Sequence, residues 1–222
     1  MIPCPELIIF DFDGVIADSE TLSNELLAEF LTLEGVPTSV DDSMRLFMGR
    51  RWSDNLARIA THLGRPLDGD FDDRFRGHTR GRMRSEVQPV AGVRDFIATF
   101  SHVPQCIASS SSHDWLNHTT QRFDLGHVFK ERMFSGTEVA NGKPAPDLFL
   151  LAAERMGVNA ARAIVIEDSP AGIEGARAAG MTAIGLTAGS HAGNGLEAKL
   201  IAAGAHRVFA TYAGLAAGLQ RG

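Results

Sequence analysis

The chain has 222 residues, 44% of them hydrophobic and 22% charged, with a formal net charge of −6. That balance is ordinary for a soluble globular protein with one core, or one core plus a small appended domain. It speaks against a general nucleic-acid binder, which carries a basic surface, and no apolar run approaches the ~20 residues of a membrane span.

The N-terminal "MIPCPELIIF" has no basic segment ahead of its apolar run, so it is not expected to act as a signal peptide. With only Cys4 and Cys106, a disulfide framework is not expected and a reducing cytoplasm is the default. The first strand is "LIIFD" at 7–11, which runs into Asp11 and Asp13 and then Gly14. Residues two apart on an extended chain face the same side, and glycine permits a tight turn beside them.

From Ala17 to Gln88 no convincing strand appears, only helical periodicity. Leu22, Leu26, Phe30 and Leu33 form one stripe ending at Gly35, and a second helix runs from Ser53 through Leu56, Ile59, Ala60 and Leu63 to Gly64. The interval is far longer than an ordinary connection of ~2–6 residues, so it is expected to be a helical insertion that closes over a sheet. It holds ten arginines between Arg45 and Arg84 and no lysine. "DGDFDD" at 68–73 begins like a calcium loop, but Asp73 stands where glycine belongs and Thr79 where the bidentate glutamate would fall. It reads as an acidic loop leading into a helix. The following "RFRGHTRGRMR" reads as a charged face balanced by those acids.

After the insertion, short apolar runs alternate with helices, the pattern of a parallel sheet. "PQCIAS" at 104–109 delivers Ser109 into a run of hydroxyls, one of which, among Ser110 to Ser112, caps the next helix. Hydroxyls and free N–H groups at a helix start make an anion cradle. Lys143, one of three lysines, sits between Gly142 and Pro144 as a fixed point charge for a phosphate. A helix follows with Pro146 at its first position, Leu148, Leu151 and Ala152 on one face, and Gly157 as its stop. "AIVIED" at 163–168 ends in Glu167 and Asp168, and the next helix has Ser169 as its cap, Pro170 at the first position and Gly180 at the end. Strands "TAIGLT" at 182–187 and "HRVFA" at 206–210 complete the series. Between them "AGSHAGNG" lacks the Lys-Ser/Thr of a phosphate loop and reads as a flexible connection.

Four acids at two strand ends call for a compensating charge. Mg²⁺ takes oxygen ligands, commonly one or two carboxylates with substrate phosphate and water, and keeps nearby carboxylates ionised.

"DFDGVIADSE", "IASSSS", "GKPAPDLF" and "EDSPAGIEGARAAGM", in this order, resemble the signature motifs of the haloacid-dehalogenase-like hydrolase superfamily, nearest its phosphatase and β-phosphoglucomutase branch. The resemblance implies an α/β fold: a Rossmann-like parallel core at 1–16 and 89–222 with an all-helical cap at 17–88. It implies that Asp11 is the nucleophile forming an aspartyl-phosphate and Asp13 the acid and base. Ser109 and Lys143 would hold the phosphoryl group, with Gly14 and Ser110 beside them. Asp11, the backbone carbonyl of Asp13, Glu167 and Asp168 would surround Mg²⁺.

Glu20, Arg50 and Arg51 are candidates for substrate recognition, which would suit a sugar phosphate or sugar-acid phosphate. Asp13 disfavours dehalogenation. The mutase branch typically carries a histidine after the first motif and a lysine in the cap; "SETLSNELLAEF" and the cap have neither. The expected protein is a monomeric cytoplasmic phosphatase of a small phosphorylated metabolite, without a nucleic-acid or membrane partner. A phosphomutase is the alternative, and a non-enzymatic phosphometabolite-binding protein the third reading.

Overall fold

The computed structural model describes residues 2, 4–47, 52–193 and 195–220. The chain divides into two compact units, Met1–Asp18 with Gln88–Gly222, and Ser19–Val87. Its strands are β1 (Leu7–Phe10), β2 (Ala17–Asp18), β3 (Gln88–Pro89), β4 (Gln105–Ser109), β5 (Met133–Ser135), β6 (Ala163–Glu167), β7 (Thr182–Leu186) and β8 (Arg207–Phe209).

In the first unit six strands form a parallel sheet in the order β5-β4-β1-β6-β7-β8. Both faces are covered, so β1, β4 and β6 are buried at every residue and read as continuous apolar runs rather than alternating ones. From β1 the chain builds outward to β4 and β5 on one side and to β6, β7 and β8 on the other. That reversal is the switch point where open α/β sheets bind ligands, beyond the carboxyl ends of the strands. The sequence pattern finds five of the six strands and misses β5, whose three residues at the sheet edge are too few to show a period. It also misses the antiparallel pairing of β2 with β3, which ties together the points where the chain leaves and re-enters this unit.

Helices α1 (Glu20–Leu33), α2 (Val40–Phe47), α3 (Trp52–Leu63) and α4 (Phe71–Glu86) make the second unit. Its core gathers Leu27, Phe30, Leu31, Phe47, Ile59 and Phe71. The expected stripe on α1 is corrected at its end: Leu33, the last helical residue, is 70% exposed, and the buried rows are Leu26–Phe30 and Leu27–Leu31. "DGDFDD" does lead into a helix, and Arg74, Arg76 and Arg82 of α4 pair with acids that include Asp68, Asp70 and Asp72. Such exposed pairs contribute little each.

The first unit continues with α5 (Val93–Thr99), α6 (His113–Arg122), α7 (Gly126–Phe129), α8 (Asp147–Arg155), α9 (Pro170–Ala178), α10 (Leu196–Ala202) and α11 (Tyr212–Leu219). Pro146 stands one position before α8, and the buried face of α8 is Leu148, Phe149, Ala152 and Ala153, with Leu151 only half-buried. The Ser112 hydroxyl accepts from Trp115 N–H at the start of α6. Ser169 caps α9 in the same way, accepting from Gly172 N–H at 3.1 Å while its hydroxyl donates to Glu167 Oε2 at 2.8 Å. Ser169→Ala is expected to lower stability by about 1 kcal/mol, the usual worth of such a cap; urea denaturation measures it, and an unchanged midpoint would contradict the capping role.

Cys4 and Cys106 are both free. Among the described residues no helix is long and apolar enough to cross a membrane.

Candidate active site

Asp11 follows β1 directly, and its backbone N–H still donates to Ile166 O of β6 at 2.9 Å. This bond holds the end of β1 beside the end of β6, where Glu167 and Asp168 emerge. One carboxylate oxygen from each of Asp11, Glu167 and Asp168 lies within 4.8 Å of the other two, and all three residues are buried. Lys143 reaches into the same cluster, donating from Nζ to Asp11 Oδ1 and to Glu167 Oε1, each at 2.7 Å. Its ammonium also stands 5.0 Å from the centre of the Phe149 ring.

The charges do not balance. Lys143 brings one positive charge to three carboxylates. Burial pushes the Asp11 carboxyl well above the ordinary aspartate range, and the charge of Glu167 pushes it further; Lys143 pulls the other way. Asp168 is raised by burial first, with the His191 hydrogen bond opposing the rise. Burial alone would make Lys143 easier to deprotonate, but the charges of Asp11 and Glu167 outweigh it and hold the ammonium above its usual value.

The donor set fits a hard divalent cation: oxygen atoms only, buried, clustered and short of positive charge. Within it the acids are not equivalent. Glu167 has both oxygens taken, Oε1 by Lys143 and Oε2 by the N–H and hydroxyl of Ser169. It folds so tightly over the first turn of α9 that a Cβ at Gly172 would come 1.7 Å from its Oε1. Asp11 and Asp168 are the better placed to hold an ion, with Glu167 fixing Lys143.

Asp13 is half-buried, and both its oxygens accept hydrogen bonds: Oδ2 from Ser111 Oγ at 2.5 Å and Oδ1 from Trp115 Nε1 at 3.1 Å. The Trp115 ring meets Phe12 edge-on with centroids 6.5 Å apart, so the residue between the two aspartates also seats the indole. Ser109, buried at the end of β4, accepts from Ser111 N–H at 3.1 Å and shapes the same turn. Ser110 is exposed on that turn.

Gly14 has φ +78°, and a Cβ there would stand 1.7 Å from Asp168 Oδ2. The glycine therefore clears room for the acidic cluster as well as making the turn. Glu20 is the first residue of α1, in the second unit. Arg50 and Arg51 lie outside the described residues.

Sequence reasoning missed Trp115, Tyr212 and His191. The Tyr212 hydroxyl donates to Val15 O at 2.9 Å, pinning the turn beyond Asp13. Within "AGSHAGNG", which the sequence reads as a flexible connection, Ser190 hydrogen-bonds Asp18 and His191 meets Asp168. The glycine on either side of Ser190 and His191 reads as flexibility in sequence, whereas Gly189 serves a close approach to the imidazole.

A model of the haloacid dehalogenase-like hydrolase family matches residues 8–186. The chain belongs to that family. It is an enzyme, a haloacid dehalogenase-like hydrolase of the β-phosphoglucomutase-like branch. A haloacid dehalogenase-like structure of unknown function from Agrobacterium tumefaciens str. C58 superposes with a TM-score of 0.88 at 34% identity, covering 97% of this chain and 98% of the other. A Thermotoga maritima structure provisionally named a β-phosphoglucomutase gives 0.80 at 26% identity, with 97% and 98% covered. A 6-phosphogluconate phosphatase of Escherichia coli (strain K12) is 24% identical, with 84% of each chain covered. A phosphorylated carbohydrates phosphatase of Thermotoga maritima is 30% identical over 81% of this hydrolase and 83% of its own length.

Proposed function

We propose that the protein is a Mg²⁺-dependent phosphatase that hydrolyses a small phosphorylated metabolite, a sugar phosphate or sugar-acid phosphate, through an aspartyl-phosphate on Asp11. The observation that carries this reading is the buried meeting of Asp11, Asp168, Glu167 and Lys143 at the switch point of the sheet. A carboxylate attacks an anionic phosphate only where positive charge screens the approach, and phosphoryl transfer is chiefly positioning and charge neutralisation.

In the first step an Asp11 oxygen bonds to phosphorus as the bond to the metabolite's oxygen breaks, and Asp13 gives that oxygen a proton. In the second, Asp13 takes a proton from water, the water oxygen bonds to phosphorus, and the bond to Asp11 breaks to release inorganic phosphate. Lys143 and Ser109 hold the phosphoryl oxygens. When bound, Mg²⁺ would be held by Asp11, Asp168 and the Asp13 carbonyl, and would neutralise charge on the phosphoryl group. Ser111 and Trp115 aim Asp13.

The helical unit acts as a cap that selects the metabolite, with Glu20 among its contacts. The relatives named for what they act on include phosphatases of phosphogluconate and of phosphorylated carbohydrates, which supports the same substrate class. The enzyme works as a cytoplasmic monomer.

The test is phosphate release over a panel of hexose, pentose and sugar-acid phosphates with Mg²⁺, repeated with excess chelator, with products followed by ³¹P NMR. Chelator-sensitive release of inorganic phosphate from sugar phosphates supports the reading. Isomerised sugar phosphate with little free phosphate would make the enzyme a mutase instead, and no turnover across the panel would overturn catalysis of this kind.

A further inference from the structure

His191 lies in the loop between β7 and α10, and the reaction described above gives it no task. Its Nε2 stands 3.0 Å from Asp168 Oδ2, and the two side chains are only 7% and 8% exposed. A carboxylate that holds a metal ion is deprotonated and only accepts, so in that state the imidazole meets Asp168 as the donor, with hydrogen on Nε2.

The surroundings are built to keep the ring there. A Cβ on Gly189 would come 2.7 Å from the imidazole's Cε1 and Nδ1, and one on Gly14 would come 2.9 Å from Cε1. Glycine at both positions lets the ring lie against the backbone next to the acidic cluster. The loop is moored on its other side as well: Ser190 donates its backbone N–H and its hydroxyl to Asp18 Oδ1, at 2.9 and 2.8 Å. Asp18 is in turn held in the β2–β3 ladder opposite Gln88.

We propose that His191 is a positioning residue for the cation site, its ring N–H fixing the rotation of the Asp168 carboxylate that holds Mg²⁺. The inference rests on the metal reading above. A carboxylate locked before binding loses less freedom when the ion arrives, and hydrogen-bond partners behind metal-binding carboxylates typically change metal affinity by 10–100-fold.

The experiment is calorimetric titration of MgCl₂ into chelator-stripped protein, comparing wild type with His191→Leu and His191→Gln, each checked for a wild-type circular dichroism spectrum. His191→Leu, which removes the donor, is expected to raise the Mg²⁺ dissociation constant about 10–100-fold. His191→Gln, whose amide N–H can donate in the same place, stays close to wild type. In phosphate release, the leucine variant shifts the Mg²⁺ concentration for half-activation while its rate at saturating Mg²⁺ recovers. Ser190→Ala keeps the imidazole and removes the hydroxyl half of the loop's mooring to Asp18, leaving the backbone N–H bond, and gives a smaller rise that does not depend on His191→Leu folding. Unchanged affinity in His191→Leu, or equal weakening in the leucine and glutamine variants, would overturn the proposal by leaving the ring a packing role. Wild-type protein that takes up no Mg²⁺ would instead overturn the metal reading beneath it.

Discussion

Asp11→Asn is expected to cut phosphate release by at least about 10⁴-fold, the scale on which removal of a nucleophile acts. Asparagine keeps the shape of the side chain and can still accept a hydrogen bond from Lys143, but an amide oxygen cannot carry the phosphoryl group as an acyl phosphate. Stability should move little in the metal-free protein. The change removes one negative charge from a cluster in which three buried carboxylates face Lys143, and that ammonium keeps Glu167 as a partner at 2.7 Å. The variant should also bind Mg²⁺ less tightly, because one of its carboxylate ligands is gone. Steady-state phosphate release, thermal melting of stripped protein and incubation with substrate followed by mass spectrometry check the three points. Wild type should show a transient gain of one phosphoryl group and the variant none. Turnover within tenfold of wild type would remove Asp11 from the chemistry.

Lys143→Met is expected to damage both fold and function, unlike the first change. The lysine side chain is 7% exposed, and it joins Asp11 to Glu167, itself fully buried. Removing one partner from a buried ion pair typically costs about 3–5 kcal/mol, because the charges left behind have neither water nor a counter-ion. In the stripped protein the carboxylates would then take up protons or draw in water, and the loss should appear in urea denaturation. Added Mg²⁺ should return part of the stability of the variant by supplying charge to the same oxygens.

Activity at saturating Mg²⁺ should still fall by about 10²–10³-fold, the scale of removing one preorganised group from a developing oxyanion. Arginine at this position should not rescue the rate. Its planar fork cannot replace a compact ammonium held 2.7 Å from two carboxylates at the ends of different strands. Stability unchanged without Mg²⁺ would mean that the ammonium is not needed to balance the cluster.

The amino-acid sequence by itself determined what depends on near neighbours. Runs such as Leu7–Phe10 and Ala163–Glu167 are strands because consecutive apolar residues suit a sheet covered on both faces. Ser112 and Ser169 cap α6 and α9 because a hydroxyl at that position answers an open N–H within one turn. Asp11 and Asp13 were visible as a pair because a strand and a glycine frame them.

Tertiary structure decided the rest. β5 exists only because β4 offers an edge to pair with. Lys143 meets Asp11 across 132 positions, and Trp115 meets Asp13 across 102. The segment around His191, which sequence reads as loose, is held through Ser190 to Asp18 and through the imidazole to Asp168. Periodicity and capping act over a few residues, whereas the choice of which carboxylate faces which cation follows from the order of strands in the sheet, and that order is a property of the packed chain.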